Sequence, residues 1–396
     1  MIFKRMKKLF LFLTISIFAA CGKKLTSENE TQSNQPSNVL ENLTFQVDTI
    51  IVDSGKELFN LKDLSIFGKQ NYFSLSQNND SLYFFDRHRL ILHEIDLKSL
   101  KLVNNFPFEQ EGPDGIGRFV YTFKWLPNKQ FYVKDLFGNS WFFSKEGRKL
   151  AQIEINSEEM VEGTRLESFS ISNQQIIDFK RKKLYSLPRS FKSRELYFAV
   201  LESMGETGRI LKIPELEKTF NFFVELKGSA DGGGGKGEMV FLQQLNDLVL
   251  ISSTVGNSIY VYDPNLDSLF FKAFPHELAP LGKNVEIKKE VFSDKEFQAE
   301  LNKLHTQIDY WDFYWDEQTQ RYYRFASKGL PLANIDSPKN FEYFLFAYDR
   351  NLTLKGEKKL EGFSELPLSG FFKDGKLWSY VNVDDELGFA VFTFDF

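Results

Sequence analysis

The amino-acid sequence predicts an all-β fold, specifically a six-bladed β-propeller with one short helical insertion. Three observations lead to this prediction. Short strand-like runs alternate with turns rich in Gly, Asn, Asp and Pro along nearly the whole chain. The runs recur as strand pairs at a spacing of roughly 40 to 65 residues, which is typical of propeller blades. Phenylalanine accounts for 43 of the 396 residues, and aromatic side chains favour the pleated, half-buried surface of a sheet.

Four segments show the repeating unit most clearly. They read LYFFDRHRLILHEIDLKSLKLV, FYVKDLFGNSWFFSKEGRKLAQI, LVLISSTVGNSIYVYDPNLDSLFF and YFLFAYDRNLTLKGEKKL. In each, a strand ends at a side chain suited to reversing the chain, and an outer strand follows. The reversing residues are Asp96, Ser144, Asp263 and Asp349. We predict blades near residues 62–108, 119–155, 166–222, 238–274, 311–361 and 368–396.

The last predicted blade is one strand short. The β-rich run LTFQVDTIIV at residues 43–52 could supply that strand, so we expect the two ends of the chain to pair. Such pairing closes the ring, and closure removes exposed sheet edges that otherwise promote aggregation.

One helix interrupts the strands at residues 293–308, which read SDKEFQAELNKLHTQI. Ser293 and Glu296 have the spacing of a capping box. Apolar residues recur on one helical face, at Phe297, Leu301, Leu304 and Ile308. We predict an insertion before the fifth blade that packs on the rim or face of the propeller.

The N-terminus has the order of a secretory signal peptide. A basic start is followed by an apolar run from Leu9 to Phe18, then by Ala19, Ala20 and Cys21. The run is too short for a membrane-spanning helix. Cys21 is the only cysteine, and its place at the cleavage point predicts lipidation. The alternative is an ordinary signal peptide with an accidental cysteine.

The predicted domain boundaries follow from this leader. Residues 1–20 are the signal peptide, and residues 21–41 are the lipidated cysteine with a flexible polar tether, too poor in apolar residues to fold. Residues 42–396 form a single propeller domain. The expected location is the cell envelope, in the outer membrane facing the periplasm.

Charge and cysteine content exclude several classes of protein. Removing the leader with its four positive charges changes the formal net charge from −5 to −9, which argues against binding to nucleic acid or to anionic membrane surfaces. A single cysteine allows neither an internal disulfide nor a thiolate metal site. The fold must therefore be stabilised by burial.

The segment EGPDGIG at residues 111–117 is a candidate ligand loop. Three glycines and a proline impose a tight turn that could present backbone amides, Glu111 or Asp114 to a ligand. The alternative is a structural turn between the first two blades.

The segment YWDFYWDEQTQRYYR at residues 310–324 is the second candidate. Its aromatic residues could form a stacking surface for a sugar or peptide, with Trp311 and Trp315 as the leading ligand-binding residues. The alternative is a β-hairpin with cross-strand aromatic pairs, in which 313–315 and 322–325 are strands and 316–320 is the turn.

Other motifs are weaker. GSADGGGGKG at residues 228–237 lacks the glycine and the Ser or Thr that a phosphate-binding loop requires, so we expect a loop that enters the fourth blade. His88 and His93 would face opposite sides of a regular strand. We assign no catalytic residue, no metal site and no cofactor.

The lipobox, the polar tether, the EGPDGIG loop and the YWDEQTQRYYR hairpin together resemble an uncharacterised lipoprotein family of Bacteroidota. The resemblance spans nearly all of the mature chain and implies a six-bladed, TolB-like β-propeller. It implies no catalytic residue, because the family has no established activity.

Without a recognisable reactive constellation, the sequence favours a binding or scaffolding module over an enzyme. The expected partners are a membrane, through the lipid on Cys21, and a protein, peptide or glycan of the envelope. The alternative is an envelope glycan hydrolase or lyase that uses carboxylates at the propeller channel.

Overall fold

The computed structural model describes residues 38–57, 59, 72–153, 174–190, 193–202, 207–228, 234–332, 337–367, 370–384 and 386–396. In these residues strands predominate, and no helix is long and apolar enough to cross a membrane. The predicted signal peptide, Cys21 and most of the predicted tether lie outside the described residues.

Six antiparallel sheets of four or five strands follow one another along the chain. Sheet I contains β2 (Phe73–Leu75), β3 (Ser81–Asp86), β4 (Ile91–Asp96) and β5 (Lys101–Pro107). Sheet II contains β6 (Val120–Trp125), β7 (Gln130–Asp135), β8 (Ser140–Ser144) and β9 (Lys149–Ile153). Sheet III contains β10 (Gln175–Asp178), β11 (Lys183–Ser186), β12 (Arg189–Ser190), β13 (Glu195–Glu202) and β14 (Thr207–Lys212).

The remaining large sheets follow the same scheme. Sheet IV contains β17 (Val240–Leu245), β18 (Leu248–Ser253), β19 (Gly256–Asp263) and β20 (Ser268–Lys272). Sheet V contains β22 (Ile308–Asp316), β23 (Arg321–Gly329), β24 (Phe341–Tyr348) and β25 (Leu354–Leu360). Sheet VI contains β1 (Thr44–Ile51), β26 (Phe371–Lys373), β27 (Lys376–Val383) and β28 (Glu386–Asp395).

The four predicted chain reversals are confirmed. Oδ1 of Asp96 accepts hydrogen bonds from the amides of Lys98 and Ser99, at 2.9 and 2.6 Å. Asp263 and Asp349 accept from the turn amides that follow them in the same way. Ser144 accepts from a turn amide through its hydroxyl. A short side-chain acceptor that satisfies turn amides is a local device, which is why the sequence alone predicts it.

The predicted pairing of the chain ends is also confirmed. β1 pairs with β28 along its whole length, from Thr44 opposite Asp395 to Ile51 opposite Gly388. Leu40, just before β1, is fully buried in the cluster between sheets V and VI. The packed domain therefore begins before residue 42, inside the segment predicted as tether.

Hydrophobic clusters join each sheet to the next in chain order, and sheet VI to sheet I. Aromatic rings meet across each of these seams. The pairs are Phe85–Phe123, Phe142–Phe179, Tyr185–Tyr262, Phe241–Trp311, Tyr323–Phe372 and Phe73–Tyr380. The core of the protein is therefore a set of seams between sheets, arranged in a cycle.

The predicted helix is α1 (Asp294–His305). Its N-cap is Ser293, whose hydroxyl accepts the amide of Glu296 at 3.3 Å, as predicted. The helix ends three residues earlier than expected, and Ile308 opens β22 instead of extending the apolar face. Ile308 belongs to the strand and not to the helix because it pairs with Lys328 of β23, which extends the antiparallel ladder.

Two elements were not predicted. A small sheet contains β15 (Val224–Leu226), β16 (Gly234–Lys236) and β21 (Glu290–Val291), and α1 packs on it. A 3₁₀-helix spans Pro214–Phe222, where the third blade was expected to continue. β16 lies within the glycine-rich segment at residues 228–237, which was expected to be a loop. Its strand conformation depends on pairing with β15.

Candidate functional site

A cleft of about 420 Å³ lies between α1, sheet V and the chain that enters sheet IV. Apolar, aromatic and charged side chains converge on it, a combination typical of ligand sites. Its lining residues include Lys236, Glu238, Thr254, Lys283, Leu304, His305, Asp309, Trp311, Ser327, Phe341 and Tyr343.

Trp311 contributes the indole of the cleft. It lies on β22, and its Nε1–H donates a hydrogen bond to Oγ of Ser327 on the neighbouring strand, at 3.0 Å. Phe241 lies 6.5 Å from it, between ring centroids. These contacts orient the half-buried ring, so one of the two predicted tryptophans lines the candidate cleft.

Three charged side chains meet beside the indole. Nζ of Lys283 lies 2.8 Å from a carboxylate oxygen of Glu238 and 2.6 Å from one of Asp309. The side chains of Lys283 and Glu238 are only 3% and 8% exposed, whereas that of Asp309 is 29% exposed. Asp309 is therefore the acid of this ion cluster that a ligand can reach.

The backbone holds the lysine in place. The amide of Lys283 donates to the carbonyl oxygen of Val255 at 2.8 Å, and Gly256 and Gly282 form an antiparallel bridge. A Cβ on Gly282 would lie 2.9 Å from the carbonyl oxygen of Val255. Glycine is needed at this position because the two backbones approach so closely.

Glu238 is anchored by Thr254. The threonine hydroxyl donates to the Glu238 carboxylate and accepts the amide of Met239 at 3.1 Å. Because the hydroxyl is an acceptor for the backbone and a donor to the acid, Glu238 is held as a carboxylate facing Lys283.

Burial and charge act against each other on the pKa values of the cluster. Burial alone would lower the pKa of Lys283, but Asp309 and Glu238 outweigh it and the pKa is raised. Burial raises the pKa of the Asp309 carboxyl, and Lys283 only partly opposes this. The lysine is thus firmly protonated at neutral pH, and the Asp309 carboxyl protonates more readily than an ordinary aspartate.

His305, the last residue of α1, closes one side of the cleft. Its ring meets Phe341 edge to face at 5.1 Å, and Nε2 has no hydrogen-bond partner within the described part of the chain. Burial and the charge of Lys339 lower its pKa, against a hydrogen bond to the backbone of Leu330. The imidazole is therefore neutral, and its Nε2 is buried without a hydrogen-bond partner among the described residues.

The structure separates Trp315 from Trp311. A bulge in β22 adds one residue between Tyr310 and Phe313 relative to β23, which turns the following side chains to the other face of the sheet. Trp311 packs on the cluster shared with sheet VI, and Trp315 on the cluster shared with sheet IV. The predicted hairpin is confirmed, and the two indoles do not share a surface.

The EGPDGIG loop is held together by its own backbone. The amides of Ile116 and Gly117 donate to the carbonyl oxygens of Glu109 and Gln110, at 2.8 and 3.1 Å. Asp114 accepts the amide of Lys149 at 2.9 Å. Glu111 is exposed and does not line the neighbouring cavity of about 270 Å³. In this structure Asp114 links sheets I and II.

Apart from Trp311, the polar residues from which the site is built were not predicted. Glu238, Lys283, His305 and Asp309 lie on separate elements and share no motif. The sequence signal that could have pointed to this site is the placement of Asp309 within an aromatic strand. Among the described residues, no group of three or more His, Cys, Asp or Glu side chains is placed to hold a metal ion.

The succession of antiparallel four- and five-stranded sheets, each packed on the next, defines a propeller-like β protein. A family model described as a domain of unknown function, DUF4221, matches residues 36–359. The chain belongs to this family.

Three solved structures are similar to this chain, and the first of them supports the fold. A crystal structure of a DUF4221 family member from Bacteroides vulgatus is 15% identical, with a TM-score of 0.59 over 89% of this chain and 98% of that one. BamB from Moraxella catarrhalis is 8% identical, with a TM-score of 0.36 over 89% and 97% of the two chains. The β-propeller domain of Cps50 (Swd1) from Myceliophteria thermophila is 7% identical, with a TM-score of 0.37 over 88% and 99%. No curated protein sequence matches this chain.

Proposed function

We propose that this protein is a six-bladed propeller of the cell envelope that binds a glycan in the cleft at Trp311. The observation that carries the proposal is the indole of Trp311, fixed in the same cleft as the ion cluster of Lys283, Glu238 and Asp309. A scaffolding role would use the same surface.

The cycle of seams supports the count of six blades. Sheets I to VI pack in chain order, and sheet VI packs on sheet I. Side chains on the first strands also bridge to the next sheet: Ser74 accepts the amide of Trp125 at 2.7 Å, and Gln243 bonds both backbone groups of Phe313. Such bridges are expected where first strands surround a central channel.

The chemistry of the cleft favours a sugar among envelope ligands. A sugar ring offers an apolar face that packs on an indole, and hydroxyl groups that hydrogen-bond to the partly exposed Asp309. Because Lys283 offsets only one of its two acidic partners, the cluster keeps a formal charge of −1, which disfavours an anionic ligand. Phe341 and Tyr343 add apolar wall on the opposite side.

The two tryptophans provide a matched test. Binding of soluble oligosaccharides and short peptides is measured by calorimetry for the wild-type protein, Trp311→Ala and Trp315→Ala. We expect an oligosaccharide to bind, Trp311→Ala to weaken it at least tenfold and Trp315→Ala to leave it unchanged. Binding of peptides alone, or equal losses in both variants, would contradict the proposal.

Anchoring through Cys21 is part of the same proposal, and places the propeller in the outer membrane facing the periplasm. It rests on the leader and its single cysteine. Expression with a radiolabelled fatty acid tests it: wild-type protein should be labelled and partition into detergent, and Cys21→Ser should do neither. Label on both proteins, or on neither, would contradict it.

The ion cluster favours one second function, an envelope hydrolase or lyase acting on a glycan. Asp309 has a raised pKa and lies close to a second carboxylate, an arrangement used by general acids. Turnover of an oligosaccharide that disappears in both Asp309→Asn and Glu238→Gln would establish catalysis over simple binding.

A further inference from the structure

The seam between sheets II and III differs from its neighbours in composition. Among the described residues its cluster contains three buried apolar side chains, Leu126, Tyr132 and Ile153, whereas the seam between sheets I and II contains eleven. Polar groups occupy the seam instead. The hydroxyl of Tyr132 is hydrogen-bonded to Ser140 at 2.9 Å and to Gln175 of sheet III.

Two lysines point into this seam. Lys124 on β6 is opposite Tyr132 on β7, and Lys134 is opposite Thr122. Residues opposite each other in an antiparallel pair face the same side, so both lysines lie on the face of sheet II that Tyr132 turns towards sheet III. They are diagonal neighbours, about 7–8 Å apart at Cα.

Lys134 is the better defined of the two. It is only 4% exposed, and its Nζ lies over the ring of Tyr121, 5.4 Å from the centroid. The phenolic group of Tyr121 also acts electrostatically on Arg189 of sheet III. Three basic side chains are thus directed at one polar seam.

Neither lysine forms an ion pair in the described part of the chain. The nearest acid to Lys134, Asp135, uses its carboxylate for its own turn, accepting the amides of Phe137 and Asn139 at 2.9 Å and the Asn139 side chain at 2.7 Å. Charges withdrawn from water are normally paired because an isolated buried charge is costly. Two neighbouring unpaired ammonium groups make that cost larger.

We propose that this seam is a binding site for a small oxyanion, with Lys124 and Lys134 as its two cationic ligands. Carboxylate and phosphate oxygens have the charge and acceptor geometry that two ammonium groups require. Burial lowers the pKa of each lysine to about 8, so both are largely protonated at pH 7 and available to an anion. The site is separate from the cleft at Trp311 and does not depend on its function.

Calorimetry and thermal unfolding at pH 7 and constant ionic strength test this site, with inorganic phosphate and citrate as separate probes. We expect at least one probe to bind the wild-type protein saturably at one site per chain and to raise its melting temperature. Lys124→Met and Lys134→Met should each weaken binding at least tenfold. The matched control is Lys180→Met, an exposed lysine that should bind like wild type.

Stability in chloride alone separates loss of binding from loss of folding. The methionine variants should melt no lower than wild type, because they remove an unpaired charge while keeping the volume of the side chain. Lys134→Arg keeps the charge and should retain binding. Failure of both probes to bind wild-type protein, or undiminished binding by the methionine variants, would overturn the proposal.

Discussion

The imidazole of His276 stacks on the ring of Phe346, with centroids 3.8 Å apart and planes 8° from parallel. Its Nδ1 is 3.1 Å from the hydroxyl of Tyr310, and its Nε2 is 2.9 Å from that of Tyr348. The Tyr310 hydroxyl donates to the carbonyl oxygen of Pro280, so it accepts from Nδ1–H. Nε2 then accepts from Tyr348, and the buried ring is neutral.

This environment predicts that the folded protein loses stability as the pH falls. Burial, reinforced by the charge of Arg324, lowers the pKa of His276 from 6.5 to about 3. Between these values the unfolded chain binds a proton that the folded protein does not, so the free energy of unfolding falls as the pH decreases from 6.5. The slope from this residue is about 1.4 kcal/mol per pH unit.

Urea unfolding from pH 7 to pH 4 measures this slope against His276→Gln, which keeps a polar side chain that does not titrate. The variant should be less stable at pH 7 and lose less stability on acidification. Identical slopes in the two proteins would show that His276 is protonated in the folded state.

The ion cluster of the cleft predicts that removing its lysine destabilises the protein more than removing a lysine from an exposed ion pair. Lys283→Met leaves Glu238 and Asp309 without their shared partner, and removing one member of a buried ion pair costs about 3–5 kcal/mol. Lys227→Met is the control, because Lys227 and Glu225 form an exposed pair at 2.8 Å, whose loss should cost far less in water. Chemical unfolding of both variants at pH 7 checks the difference; equal costs would mean that the cluster is solvated.

Gly329 is predicted to be indispensable for the wall of the cleft. A Cβ there would lie 2.3 Å from both Cε1 and the carbonyl oxygen of His305, so Gly329→Ala should displace the end of α1 and cost about 1–3 kcal/mol. Gly234→Ala is the control, since its Cβ would meet nothing within 4 Å. Thermal unfolding compares the two, and a Gly329→Ala protein as stable as the control would refute the close contact.

The paired chain ends predict an effective cross-link. Thr49 lies opposite Ala390 in the β1–β28 ladder, so Thr49→Cys with Ala390→Cys should form a disulfide that stabilises the protein by about 2–4 kcal/mol. Thr49→Cys alone should not. Unfolding with and without reductant measures the gain, and a pair that stays reduced under oxidising conditions would count against the register.

Much of the fold was predictable because its signals are local. Asp96, Asp263 and Asp349 satisfy turn amides within four residues of themselves, and Ser293 caps a helix three residues ahead. The small sheet was not predictable, since Gly234–Lys236 becomes a strand only by pairing with Val224–Leu226. Its glycines carry no strand preference of their own.

Buried Arg324 shows the same limit. It has a strand-like neighbourhood in sequence, yet its guanidinium donates to the carbonyl oxygens of Trp311, Asn257 and Ser253 at 2.6, 2.6 and 3.1 Å and lies over the rings of Tyr310 and Phe313. No pattern in the sequence predicts that this buried cation is held by backbone carbonyl groups of a neighbouring sheet.

The sequence by itself determined most of the strands, their turns and the helix cap, because turn chemistry and hydrophobic alternation act over a few residues. It also predicted the pairing of the two chain ends, because the last blade was one strand short and residues 43–52 could supply it. Only the tertiary structure decided which side chains form a site. One bulge sent Trp311 and Trp315 to opposite faces of sheet V. The packing of separate elements brought Glu238, Lys283 and Asp309 together. Contacts between residues so far apart in the sequence do not produce a periodic sequence pattern.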